Sequence, residues 1–160
     1  MSNLMELVMD MSEDTLREKY LIFLIDRQEY AIELRYISEV IGGVVHITEV
    51  PEVPNYIKGI INRRGRIIPL LDVRLRFKKE PRSYNNQTCI TVVDIDDITV
   101  GLIVDGVAEV MTIAEGNIVM PPDTLPDGVD RFICGIGKVG NSVKLIVDCQ
   151  VLLGDERLAG

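Results

Sequence analysis

Residues 56–77 read YIKGIINRRGRIIPLLDVRLRF. Two runs rich in β-branched residues, 56–61 and 66–71, flank Asn62-Arg63-Arg64-Gly65. β-branched side chains are stiff at χ1 and suit strands, and two such runs around a short polar segment predict a hairpin. Gly65 can take the positive φ that closes the turn, and Asn62 is the small polar residue that opens it. The two arginines are unusual cargo for so tight a turn. A guanidinium is a rigid fork of donors that matches a carboxylate on a partner. The plainer reading is a solvated hairpin tip.

The rest of the chain sets that hairpin in a mostly β context. It has 160 residues, enough for one domain or two small lobes with a real core. Hydrophobic residues make up 47%, dominated by Ile and Val, and aromatics only 5%. This composition excludes disorder as the main state and favours strands. No apolar run approaches the ~20 residues of a membrane span. The acidic start, MSNLMELVMDMSEDTLREK, lacks the basic n-region and apolar centre of a secretion signal. Cys89, Cys134 and Cys149 are widely spaced with no C-x-x-C, and His46 is the sole histidine. Reduced thiols in a cytoplasm are expected, with no metal site and no cofactor.

Outward from the hairpin the rhythm continues. Residues 20–25 and 30–33 read as strands around a turn at 26–29. Residues 34–41, LRYISEVI, place Leu34, Ile37, Val40 and Ile41 at helical spacing, so a short helix is expected, ended by Gly42-Gly43. Residues 44–50 form an extended run, and Pro51 and Pro54 stiffen the connector after it. Asp72 can cap a short helix that runs to Phe77. Residues 78–87 are polar, aperiodic and contain Pro81, the best lobe boundary. Strands are expected at 88–93, 98–104, 107–112, 131–137 and 142–147, a proline-rich excursion at 120–128 and a closing helix at 148–153. About five strands per half at this spacing suit small antiparallel barrels.

Two motifs invite over-reading. Gly135-Ile136-Gly137-Lys138-Val139-Gly140 matches G-x-G-x-x-G, but a dinucleotide site needs a helix next and VKLIV reads as strand. It is a glycine-rich hairpin. Asp94, Asp96 and Asp97 lack the glycine and glutamate of a calcium loop and fit an acidic turn. No G-x-S-x-G, Walker loop or H-E-x-x-H is present. An acid/base pair such as Asp72 with Asp105 is the remaining route to an enzyme, and no enzyme is expected.

Net charge is −8, unevenly spread. Residues 58–79 hold eight basic side chains against Asp72 alone, and residues 80–130 hold ten acids against Arg82 alone. Such separation orients protein partners. Nucleic acid is disfavoured, because the acidic half repels phosphate and no aromatics interleave the arginines. Two lobes meeting at an angle would leave an apolar groove between them able to hold a helix.

KGIINRRGRIIPLLD, with ITEVPEVPNY before it and VGLIVDGVAEVM at 100–111, resembles the CheW-type chemotaxis coupling proteins. The opening YLIFLIDRQEYAIELRYISEVI supports the resemblance, which runs from about residue 20 to 153. It implies an all-β fold of two intertwined five-stranded β-barrel lobes with short connecting helices. It divides the chain into a tail at 1–19, one domain at 20–154 and a tail at 155–160. Lobe one would lie at about 30–79 and lobe two at about 84–150, with the N-terminal strand shared. The implied function is a non-catalytic scaffold that couples cytoplasmic chemoreceptor tips to the regulatory domain of the histidine kinase CheA, at membrane-associated arrays but without membrane insertion. A kinase-binding module that ignores receptors is the alternative. The implied receptor groove comprises Ile37, Glu39, Val40, Lys58, Gly59, Arg64, Val104 and Val107. The implied kinase contact comprises Ile47, Val50, Val53 and Tyr56. Arg63 departs from the family pattern, which has an apolar residue there.

Overall fold

The computed structural model describes residues 16–43, 45–122 and 130–154. The tail expected at 155–160, most of that at 1–19 and most of the proline-rich excursion lie outside the described residues. Among the described residues the chain is built of strands with two short helices. The first half runs β1 (Lys19–Ile25), β2 (Gln28–Glu33), β3 (Ile37–Gly42), β4 (Ile57–Arg63), β5 (Arg66–Asp72) and α1 (Val73–Arg76). The second runs β6 (Cys89–Ile95), β7 (Ile98–Val104), β8 (Gly106–Thr112), β9 (Ile118–Val119), β10 (Ile133–Val139), β11 (Ser142–Val147) and α2 (Cys149–Leu152).

The strands form two sheets, ordered β8-β1-β2-β11-β10-β9 and β3-β6-β7-β5-β4. Neither is a closed barrel, which corrects the expected closure. In the five-stranded sheet, β3 and β4 are opposite edges with no backbone ladder between them. The sheets also cut across the 30–79 and 84–150 division. β1 and β2 lie with β8 to β11, while β6 and β7 lie with β3 to β5. The intertwining is therefore an exchange of hairpins.

Sequence and pairing reveal two copies of one unit. Each copy is a hairpin, a bulged strand, a second hairpin and a capped turn of helix. Ile57-Lys58-Gly59-Ile60 corresponds to Ile133-Cys134-Gly135-Ile136, and the ladder skips Lys58 in one and Cys134 in the other. Ile37-Ser38-Glu39-Val40-Ile41 corresponds to Val107-Ala108-Glu109-Val110-Met111, and the skipped residues are Ser38 and Ala108. A bulge leaves one residue unpaired and bends its strand. Asp72 and Asp148 each cap the following helix, accepting from Leu75 and Val151 backbone N–H at 3.2 Å. Each copy's first hairpin joins the other copy's sheet, through the parallel pairs β5·β7 and β11·β2.

The expected helix at 34–41 is a correction. Leu34–Tyr36 is one 3-10 turn, and Ile37–Gly42 is strand β3. The bulge at Ser38 explains the deception. It breaks the period of two, so apolar residues recur at three and four, mimicking a helix. The β-branched Ile37, Val40 and Ile41 favour the strand. The run at 44–50 makes a single bridge, Thr48 to Ile60, over its described residues. The two glycine and aspartate motifs are turns: β10 and β11 meet at Gly140-Asn141, and Asp96 and Asp97 both take positive φ between β6 and β7.

Three apolar clusters fill this frame. Ile41, Ile61, Ile68, Leu70, Ile90 and Ile103 pack inside the curl of the five-stranded sheet. Tyr20, Ile22, Ala31, Ile113 and Ile146 pack inside that of the six-stranded sheet. The largest cluster lies between the sheets and includes Phe23, Tyr30, Phe77, Val104 and Phe132. Burial there pushes the Tyr30 phenol up to about 12.

Gly101 sits where β5 and β7 run parallel, opposite Leu70. A Cβ there would meet Leu70 Cδ2 at 2.6 Å and Ile90 Cγ2 at 2.8 Å. Gly101→Ala is expected to cost about 1–3 kcal/mol by overpacking, read as a lower urea midpoint. An unchanged midpoint would mean this junction is loosely packed.

Candidate functional site

The expected groove residues fall into three layers. Val104 is 2% exposed and Ile37 6%, both within the inter-sheet core. They form the floor beneath any surface, a correction to their expected place on the wall. Val40 on β3 and Val107 on β8 are half-buried and pack against that same core from its outer side. Val110, which is not among the implied groove residues, does the same from β8. Its signal was the ISEVI and VAEVM repeat, in which Val110 is the counterpart of Val40. Two strands from the two copies thus present valines over one apolar floor.

Polar residues frame this surface. Arg63 Nε and Nη2 donate to Glu39 Oε2 at 3.0 and 2.5 Å. The pair spans the open seam between β3 and β4, the two edges of the five-stranded sheet. Two guanidinium donors converge on one carboxylate oxygen in a charge-assisted contact, which bridges the seam where backbone bonds do not. The Arg63 hydrogen bond lowers the Glu39 carboxyl below its ordinary value near 4.5, helped by the charges of Arg63 and Arg64 and opposed by burial.

Arg64 is exposed at the hairpin tip, and it has no hydrogen bond or ion pair with the described residues. Its φ is 55° and that of Gly65 is 84°. With Arg63 paired to Arg66, this is a two-residue loop of the primed type that suits strand twist. Asn62 Oδ1 accepts from Gly65 N at 3.0 Å. Lys58 is the half-buried bulge residue beside Gly59, whose φ is 143°. A Cβ on Gly59 would lie 2.2 Å from the Thr48 carbonyl oxygen, so glycine is what lets the 47–48 segment reach β4.

The second expected patch is mixed. Val53 is 39% exposed and Val50 half-buried, so both offer apolar surface. Tyr56 is buried beneath the Arg76 guanidinium, which lies 4.6 Å from its ring centroid. Ile47 packs against the core of the five-stranded sheet. Arg76 is buried, also lies over Phe132, and donates to the Leu152 carbonyl at 3.0 Å. It ties α1 to the end of α2.

The suggested Asp72–Asp105 pair is committed elsewhere. Asp72 caps α1 and accepts from Tyr84 Oη at 2.7 Å. Asp105 accepts from the Asp26 N–H at 2.7 Å and from Arg82 at 3.2 Å. Burial pushes the Cys89 and Cys149 thiols up, away from the thiolate a nucleophile requires. Among the described residues no group of three His, Cys, Asp or Glu could hold a metal ion, and no helix is long and apolar enough to cross a membrane.

The fold and this surface define a two-sheet β module that offers apolar and charged faces to other proteins. Residues 19–157 match the CheW-like domain, and the chain belongs to that family. It is 30% identical to the chemotaxis protein CheW of Klebsiella aerogenes over 152 residues, covering 95% of this chain and 91% of the relative. It is 33% identical to CheW of Bacillus subtilis over 139 residues, covering 87% and 88%. The crystal structure of scaffolding protein TtCheW from Thermoanaerobacter tengcongensis superposes with a TM-score of 0.78 at 34% identity. That match covers 86% of this chain and 93% of TtCheW.

Arg63→Leu is expected to lower stability at neutral pH by less than about 1 kcal/mol, since both groups are partly exposed. A carboxylate held low contributes its stability above the ordinary value near 4.5 and loses it as pH falls through the lowered one. Urea melts of both proteins should therefore converge as the pH falls through the lowered value of Glu39. A gap that persists there would assign the loss to packing. Gly59→Ala should cost at least ~2 kcal/mol through strain and overpacking, measured the same way.

Proposed function

We propose that this chain is a non-catalytic adaptor that couples cytoplasmic chemoreceptor tips to the histidine kinase CheA in signalling arrays. An adaptor role in chemotaxis follows from the family. The named partners rest on the surface. Its carrying observation is that Val40 and Val107, from two copies of the repeat, cover one continuous apolar core with half-exposed side chains. A helical hairpin laid over them would bury both valines and Val110. Fully burying an exposed aliphatic side chain is worth about 1.5–3 kcal/mol; these valines start half-buried and gain less, so the polar residues around them must supply the rest of a stable contact.

Glu39, Lys58 and Gly59 surround the receptor end of this surface, and Arg64 reaches beyond it from the hairpin tip. Val50 and Val53, in and beside the proline-stiffened connector, offer apolar surface for the kinase contact, with the more buried Ile47 and Tyr56 next to them in sequence. Receptor and kinase then occupy different faces and can be held together. The adaptor works in the cytoplasm, beneath membrane-embedded receptors.

Arg64→Asn tests the anchor without straining the turn, since asparagine tolerates the left-handed region. The variant should melt as the parent does and bind a receptor-tip fragment at least tenfold more weakly, about 1.4 kcal/mol. Unchanged affinity would remove Arg64 from the site. Val107→Glu should abolish receptor-fragment binding and spare the kinase regulatory domain. Loss of both from a folded variant would mean the two faces are one.

A further inference from the structure

A cleft of about 1060 Å³ is lined in part by Val107. Its lining includes Leu24 and Val107 together with Asp26, Arg27, Arg82 and Asp105. Asp26 accepts from Arg74 and from Arg82 at 3.0 Å, with Lys79 Nζ 4.0 Å away. Asp105 accepts from Arg82 at 3.2 Å and lies 3.7 Å from Arg74. Three cations serve two carboxylates, and Arg27 adds a fourth.

Arg27 is exposed and makes no hydrogen bond or ion pair with the described residues. The turn does not require it. In the second copy the corresponding turn is Asp96-Asp97, so an aspartate occupies the equivalent position. The lining itself is balanced, Arg27 and Arg82 against Asp26 and Asp105, and Arg74 and Lys79 meet those same carboxylates from outside the lining. Arg82 and Arg74 are held in place by Asp26 and Asp105. Arg27 is the guanidinium left to meet a guest.

We propose that this cleft is the charge-reading end of the receptor-docking surface, where Arg27 pairs with a carboxylate on the helical segment that covers Val107. The inference rests on the docking proposed above and adds to it the chemistry of the guest: an acidic side chain beyond the apolar strip. The shared Val107 makes the cleft continuous with that strip, and Arg27, the lining guanidinium with no carboxylate partner among the described residues, is complementary to such a guest. Arg82 and the Asn85 and Gln87 side chains supply further donors around the carboxylate.

The experiment measures affinity of a receptor-tip fragment for the full chain and for Arg27→Gln, Arg27→Glu and Val107→Ala. It is run at about 50 mM and about 500 mM salt, because an exposed charge pair is screened and an apolar contact is not. Arg27→Glu should weaken binding at least ~10-fold at low salt and Arg27→Gln less, with both gaps closing at high salt. Val107→Ala should weaken binding by a similar factor at both salts. If Arg27→Gln and Arg27→Glu bind as the parent while Val107→Ala binds weakly, the cleft reading falls and the docking reading stands. If the parent does not bind the fragment, both fall. Should Arg27→Glu melt early, the neutral Arg27→Gln decides alone: a salt-dependent loss supports the pairing and parental affinity overturns it.

Discussion

Two parallel strand pairs, β5 with β7 and β11 with β2, are each made from opposite copies of the repeat. Parallel neighbours cannot be joined by a tight turn, so these pairs form only when distant parts of the chain meet. That exchange governs the rest. Each sheet is completed by the other copy's hairpin, and the apolar faces of both sheets are forced together around Phe23, Phe77 and Phe132. The two edge strands β3 and β8 then lie over a shared core. A surface made of both copies is a consequence of the exchange.

The copies differ where the chain has to present different faces. In the first, Arg63 ties the seam of its sheet through Glu39. In the second, the counterpart of Arg63 is Val139 and the counterpart of Glu39 is Glu109, which is exposed. The hairpin tips differ likewise, Arg64-Gly65 against Gly140-Asn141. The frame is repeated while the charge is not, so the two copies present different surfaces.

Much of the frame was legible in the sequence. The β4–β5 hairpin, the Asp72 cap and the strand at 98–104 follow from β-branched runs, a turn glycine and a capping aspartate, all local signals. What escaped was non-local or irregular. The bulge at Ser38 turned a strand into an apparent helix, and the two-residue β9 was too short for any periodicity. Barrel closure was inferred from strand count, which does not encode which edges meet. Of the residues expected to line a groove, Val40 and Val107 are half-buried, while Ile37 and Val104 lie in the core, because alternation alone does not tell core from rim. Arg63 was noticed as a departure from the family pattern, and its pairing with Glu39 needed coordinates, since the two residues are distant in sequence.

The central claim is that a receptor guest lies across the valines of both edge strands. Methyl-resolved NMR of the full chain titrated with a receptor-tip fragment tests it most directly. The methyls of Val40, Val107 and Val110 are expected to shift together while those of Ile61 and Ile146, buried in the two separate smaller clusters, stay in place. Shifts confined to Val50 and Val53, with Val40 and Val107 unmoved, would contradict it.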